Sequence, residues 1–222
     1  TVPVYHSSTI IHDTVADLKW AIKNIRNKVM YYGRRGTPTH FAFREAVAEL
    51  EGGHDCLVYP CGLAAINAAL MSFLSSGDHL LMVDTVYGPT RALCNTVLKR
   101  MGIKTTYYDP LIGANIKDLI QPNTKVIFTE SPGSVTMDVQ DIPAISKAAH
   151  EHDVVVMIDN TWGNLICFNP FEHGVDISIQ AATKYIVGHS DAMLGTITSN
   201  EKNWLQLYDN SYYMGYTAAP DD

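Results

Sequence analysis

Residues 56–74, CLVYPCGLAAINAALMSFL, decide the fold. A short apolar run, a Pro-Cys-Gly turn and a long stretch rich in alanine and leucine make the ordinary strand–turn–helix joint of an α/β protein. Gly62 stands at the mouth of the helix, where unpaired N–H groups and the helix dipole favour an anion. A residue without a side chain also lets a phosphate come close to the backbone. Working outward, apolar segments near 56–59, 79–83, 104–108, 125–129, 154–158, 177–180 and 193–198 read as strands. Helices are expected at 62–74, 88–101, 115–120, 142–152 and from 201 onward, with GD, DP and QPN marking turns. This alternation predicts an α/β fold, without internal repeats.

The run VVVMIDN at 154–160 reads as a buried parallel strand, because Asp159 follows five consecutive apolar residues. Ligands of open α/β sheets gather at the carboxyl ends of strands, which is where Asp159 lies. It either meets a ligand there or caps the following turn with Asn160 and Thr161. Twenty-five residues further on (184 − 159), DISIQAATKYIVGHS at 176–190 sets Lys184 behind Thr183, where a short apolar segment gives way to polar residues and glycine. Alone, Lys184 would be a surface lysine. Partial burial, however, lowers a lysine's proton affinity, and a neutral amine attacks an aldehyde to give an imine. The aldehyde cofactor that needs such a lysine is pyridoxal phosphate, which also requires a carboxylate against its ring nitrogen, phosphate donors and an aromatic lid. Tyr87, in DTVYGPT, either stacks on such a ring or packs at a helix entrance.

The remaining motifs mainly exclude. The formal charge of −7 opposes nucleic-acid binding, which normally requires a basic surface. No apolar run approaches the roughly 20 residues of a membrane span, and the first residues do not read as a signal sequence. Four cysteines without CxxC spacing read as free thiols in a reducing compartment, with Cys56 and Cys61 as small buried hydrophobes. No metal site is expected: HEHD at 150–153 reads as a solvated helix end, and HExxH is missing. GxGxxG and GxxxxGK[ST] are missing too, and Ser131 in ESPGS lacks the frame of a hydrolase nucleophile. His189 is given no catalytic role.

These pieces together resemble the trans-sulfuration enzymes of the Cys/Met metabolism pyridoxal phosphate family, most closely its bacterial cystathionine β-lyase branch. The resemblance is carried by YYGRRGTPT at 31–39, PCGLAA at 60–65, VYGPT at 86–90, ESPGS at 130–134, IDNTW at 158–162 and QAATKYIVGHSDAM at 180–193. It implies the family's mixed, mostly parallel seven-stranded sheet. It also implies that Lys184 carries the cofactor, Asp159 pairs with the pyridinium, and Gly62 and Leu63 bind phosphate through their amides. Tyr87 would stack on the ring, and Thr183 would add a hydroxyl to the phosphate. Tyr32 and Arg34 would reach the phosphate of a neighbouring subunit, so that a homodimer or homotetramer builds each site from two chains. The guanidinium fork suits a phosphate, although GRRG without the resemblance is a solvated basic loop. Ala181, Cys61 and Ser134 replace side chains common in the wider family and point to the β-lyase branch.

By the same resemblance, Lys184 would act as the base that removes a substrate α-proton, with Tyr87 helping to steer protons. Cystathionine would lose homocysteine, leaving pyruvate and ammonia, in a cytoplasmic enzyme. The alternatives are γ-elimination or γ-replacement on the same scaffold, and a cofactor-binding or dimerising piece without turnover. Residues 1–54 are expected to form an arm that packs across a partner, with VADLKWAIKNI ahead of the arginine loop and FREAVAELEG as an amphipathic helix. Residues 55–222 would form the large cofactor domain, and Tyr212 is placed facing the partner by position only. The family continues into a smaller carboxy-terminal domain that supplies the arginine gripping the substrate carboxylate. The chain, starting at Thr1, is therefore expected to be a piece of a longer protein.

Overall fold

The computed structural model describes residues 2–222. Seven strands form one sheet: β1 (Asp55–Tyr59), β2 (His79–Val83), β3 (Lys104–Tyr108), β4 (Thr124–Glu130), β5 (Val155–Asp159), β6 (Ile177–Gln180) and β7 (Gly195–Ser199). Their order is β1-β7-β6-β5-β4-β2-β3. β7 alone runs against its neighbours β1 and β6, and the other pairings are parallel. Each expected strand is present, and the last begins two residues later than the sequence suggests, at Gly195. Met193 and the residues before it belong instead to the loop after β6.

The central strands are covered on both faces, which is why they read as unbroken apolar runs rather than alternating ones. Leu80, Leu81, Met82, Val126, Ile127, Phe128, Val156, Met157 and Ile158 are all fully buried. Seven helices flank the sheet: α1 (Val15–Lys23), α2 (Pro38–Glu51), α3 (Gly62–Phe73), α4 (Gly88–Leu93), α5 (Ile142–His150), α6 (Asn164–Cys167) and α7 (Glu201–Tyr212). The small residues Ala65, Ala68 and Ala69 are buried on α3, which lies against β6, β7 and α7. Three helix expectations are corrected. The helix expected over 88–101 is α4 followed by a π-helical turn at Cys94–Leu98. The one expected at 115–120 is a 3-10 segment, Gly113–Leu119. α2 starts at Pro38, five residues ahead of Phe43, because Thr37 caps it together with His40 and Pro38 fills the first turn, where no N–H partner is needed.

α2 lies on the sheet. Val47 and Ala48 pack with Cys56, and the buried Glu51 carboxylate accepts hydrogen bonds from Ser178 and Gln180 of β6. The residues ahead of it are held differently. Only Ala21 of α1 is buried, while Ile11, Val15 and Trp20 are 91%, 68% and 60% exposed. Polar contacts fasten this segment, among them the Arg26–Asp209 and Lys28–Asp55 ion pairs, a bridge between Thr9 and Tyr32, and the hydrogen bond from the Tyr5 N–H to the Thr39 hydroxyl. Residues 150–153 are exposed at the end of α5, as expected of a solvated helix end, and His150 Nε2 lies 3.0 Å from the buried Asp176. Among the described residues, no helix is long and apolar enough to cross a membrane, and no three His, Cys, Asp or Glu side chains group to hold a metal.

Candidate active site

Parallel strands deliver their last residues to one edge of the sheet, and here those residues carry the chemistry. β4 ends on Glu130, β5 on Asp159, and β6 runs directly into the turn bearing Thr183 and Lys184. At the same edge α3 opens at Gly62. Its first turn is capped by Cys61, whose sulfur accepts the Ala64 N–H, so Cys61 is a half-buried cap and not the buried hydrophobe the sequence suggested. The amides of Gly62 and Leu63 find no acceptor among the described residues. A side chain on Gly62 is barred by Ala181, whose Cβ would stand 2.7 Å from an added Cβ.

A cavity of about 190 Å³ brings together Gly62, Leu63, Tyr87, Asp159, Thr183 and Lys184. Lys184 Nζ lies 5.4 Å from the centre of the Tyr87 ring. Lys184 is exposed, where the sequence argument invoked partial burial. It sits in the turn at the cavity mouth, held by its own N–H to Ala181 O, rather than under the sheet. Thr183 also differs in detail: its hydroxyl donates to Leu194 O and accepts the Leu194 N–H, so it clasps the start of β7 while facing the cavity.

Of the two readings of Asp159, the structure shows the turn cap and leaves one oxygen free. Oδ1 accepts the Thr161 N–H at 3.1 Å and the Thr161 hydroxyl at 2.6 Å, which caps the following turn. Oδ2 has no donor among the described residues and remains available in the cavity. Burial raises the pKa of this carboxyl, offset by the two Thr161 hydrogen bonds and by Lys184. A cationic group beside Oδ2 would relieve that cost. The Thr161 hydroxyl in turn accepts the Ala181 N–H, joining the end of β5 to the lysine turn.

Sequence reasoning named Thr161 only as part of the turn after Asp159, and it missed Glu130. Thr161 lies in IDNTW, two residues after Asp159, the spacing of a side chain that bonds the backbone just ahead of it. Glu130 ends an apolar strand as Asp159 does, and in the sheet register the two stand side by side. Tyr32 and Arg34 are not brought to this cavity. Arg34 donates to Tyr212 O at 3.1 Å and lies over the Tyr212 ring, in a separate recess that also includes Arg35 and Tyr208. Tyr212 thus packs beneath its own chain's arginines. His189 bonds only locally, with Nδ1 2.7 Å from Val187 O.

Fold and cavity define an α/β protein in which one lysine, buried carboxylates and the free amides of a helix mouth line one cavity. The whole chain, residues 1–222, matches the family model described as Cys/Met metabolism PLP-dependent enzyme, and the chain belongs to that family. It is 50% identical to the cystathionine beta-lyase of Haemophilus influenzae over 97% of its length, covering 55% of that protein. It is 47% identical to cystathionine beta-lyase MetC of Escherichia coli over 98% of its length, covering 56% of that protein. Among solved structures, cystathionine gamma-lyase from Lactobacillus plantarum complexed with L-serine superposes with a TM-score of 0.90 at 32% identity, over all of this chain and 55% of that one. The chain thus spans about half the length of the curated relatives it matches.

The family's cofactor is pyridoxal phosphate, and the donor set fits it. Free amides at the mouth of α3 suit the phosphate, and the unpartnered oxygen of Asp159 suits a protonated ring nitrogen. The lysine amine and the Tyr87 ring face each other across the space between.

Proposed function

We propose that the chain is the cofactor-binding part of a carbon–sulfur β-lyase that cleaves cystathionine to homocysteine, pyruvate and ammonia. The observation that carries the reading is the convergence of Lys184, Asp159, Tyr87 and the mouth of α3 on one cavity. Relatives named cystathionine beta-lyase at 50% and 47% identity support the choice of substrate. Pyridoxal phosphate, when bound, supplies an aldehyde for the lysine and a sink for the electron pair left on the substrate carbon.

The chain's own side chains do the rest. Lys184 carries the cofactor and, once displaced by a substrate amine, becomes the base that removes the α-proton. Asp159 holds the ring nitrogen through Oδ2 and favours its protonated state. Gly62 and Leu63 donate their amides to the phosphate. Thr183, once its hydroxyl proton turns from Leu194 O, donates to the phosphate; it also positions the lysine turn, and Tyr87 covers the ring. Tyr32 and Arg34 serve the site of a second subunit from an arm formed by residues 1–54, in a homodimer or homotetramer whose large domain is residues 55–222. A cytoplasmic setting suits the four free thiols.

Trapping with borohydride after adding the cofactor, followed by peptide mapping, tests the lysine. Label on Lys23, Lys28 or Lys147 in place of Lys184 removes the basis of the reading. Product analysis with cystathionine tests the reaction. Homocysteine with pyruvate supports a β-lyase, while cysteine with 2-oxobutyrate would identify γ-elimination, the activity printed for the Lactobacillus plantarum neighbour.

A further inference from the structure

We propose that Glu130 is a positioning residue of this site, its carboxylate holding Tyr87 and Ser134 around the space where the cofactor ring sits. The inference rests on the pyridoxal phosphate reading above. Tyr87 stands at the entrance of α4, a helix of six residues with no side-chain cap from Tyr87 itself. Glu130 supplies what the entrance lacks. Its Oε2 accepts the Tyr87 N–H at 2.8 Å, and its Oε1 accepts the Ser134 hydroxyl at 2.6 Å. One carboxylate therefore ties the segment before α4 and the loop after β4 to the edge of the sheet. It is buried, and both tethered residues line the cavity with Lys184 and Asp159.

The grip depends on charge. An ionised carboxylate is a pure acceptor and holds both donors at full strength, whereas protonation turns one oxygen into a donor and weakens what it accepts. The groups facing Glu130 are Asp159 from β5, Lys184 from the turn after β6, and Tyr87 with Ser134. Burial first, then the charge of Asp159, push the Glu130 pKa up to about 7, against the opposing effects of Ser134, Tyr87 and Lys184. The structure thus sets the strength of the grip within the neutral range.

The test compares full-length wild type with Glu130→Gln, both loaded with pyridoxal phosphate. The amide oxygen of Gln keeps one acceptor and loses the charge. Borohydride mapping of the wild type comes first: if Lys184 is unlabelled, the cofactor reading falls and this inference falls with it. With Lys184 labelled, visible circular dichroism per bound cofactor reports how firmly Tyr87 holds the ring. Wild type should lose amplitude as falling pH protonates the carboxylate. Glu130→Gln should show low amplitude without that transition, and should release cofactor roughly tenfold faster. A Gln variant with wild-type amplitude, transition and release rate overturns the proposal. If Glu130→Gln does not fold, Ser134→Ala decides. Removing the hydroxyl that favours ionised Glu130 should move the wild-type transition to higher pH, and an unmoved transition overturns the proposal equally.

Discussion

The carboxyl edge of the sheet and the segment ahead of α2 are built on opposite principles. At the edge, each functional side chain ends or follows a strand whose neighbours are fully buried, and backbone or side-chain hydrogen bonds fix it. In residues 2–37, large apolar side chains face outward, and scattered polar contacts do the fastening, among them the Arg26–Asp209 and Lys28–Asp55 ion pairs and the hydrogen bonds of Tyr5 to Thr39 and Arg34 to Tyr212. An exposed ion pair contributes at most about 1 kcal/mol. The first region organises itself, whereas the second has apolar surface left to bury. The expected site residues divide along the same line: six in the cavity, and Tyr32 with Arg34 in the outlying segment.

The sharpest way to break this contrast is Lys184→Ala. It should lower turnover of the loaded full-length enzyme by roughly a thousandfold or more and abolish borohydride labelling, with far-UV circular dichroism unchanged. Labelling that persists elsewhere would show that the edge is not the site. Phe128→Ala should destabilise the chain by about 3–5 kcal/mol in urea unfolding, because its fully buried ring leaves a cavity between covered sheet faces. Trp20→Ala, in the outlying segment, should cost the isolated chain under about 0.5 kcal/mol. If the two costs are similar, the comparison fails.

Acidity sharpens it further. Glu130 binds its proton more tightly folded than unfolded, its pKa rising from 4.5 to about 7. Between those values the native state holds more protons. Stability of the cofactor-free protein therefore falls as pH rises from about 4.5 to about 7, by an amount of order 2 kcal/mol. Asp159, also raised by burial, acts in the same direction. Thermal unfolding across this range should show the decline in wild type and a shallower one in Glu130→Gln. An identical slope would contradict it. A modest effect is expected of Arg34→Ala, at most roughly tenfold weaker cofactor binding in the proposed oligomer, measured by equilibrium dialysis.

Much of this was legible in the sequence because the sheet is covered on both faces: four-residue apolar runs such as LLMV or VVMI admit few other readings. Gly62, Asp159 and Lys184 were legible for a related reason, each standing where an apolar run stops. What escaped depends on pairings across the chain. Glu130 is only one acid among many until the register sets it beside Asp159 and the fold carries Tyr87 to it. The exposure of Lys184 was misjudged because it reflects how the turn leaves β6, not the composition around it. GANIKDL became a 3-10 segment and the stretch after Leu93 a π turn, differences in hydrogen-bond reach that residue types scarcely encode.

The reversed direction of β7 has an effect beyond strand order. Because β6 and β7 are antiparallel neighbours, the chain leaves the sheet at Ala181 and re-enters it at Leu194 on the same side, with Thr183 and Leu194 clasped at the base. The tip of this excursion, from Gly188 to Asp191, is exposed and includes two residues with left-handed backbone, Gly188 and Ser190. Extra residues spliced into that tip would lengthen a free hairpin end while its stem kept Lys184 in place, which makes the tip the stretch where sequence can drift without moving the Lys184 amine.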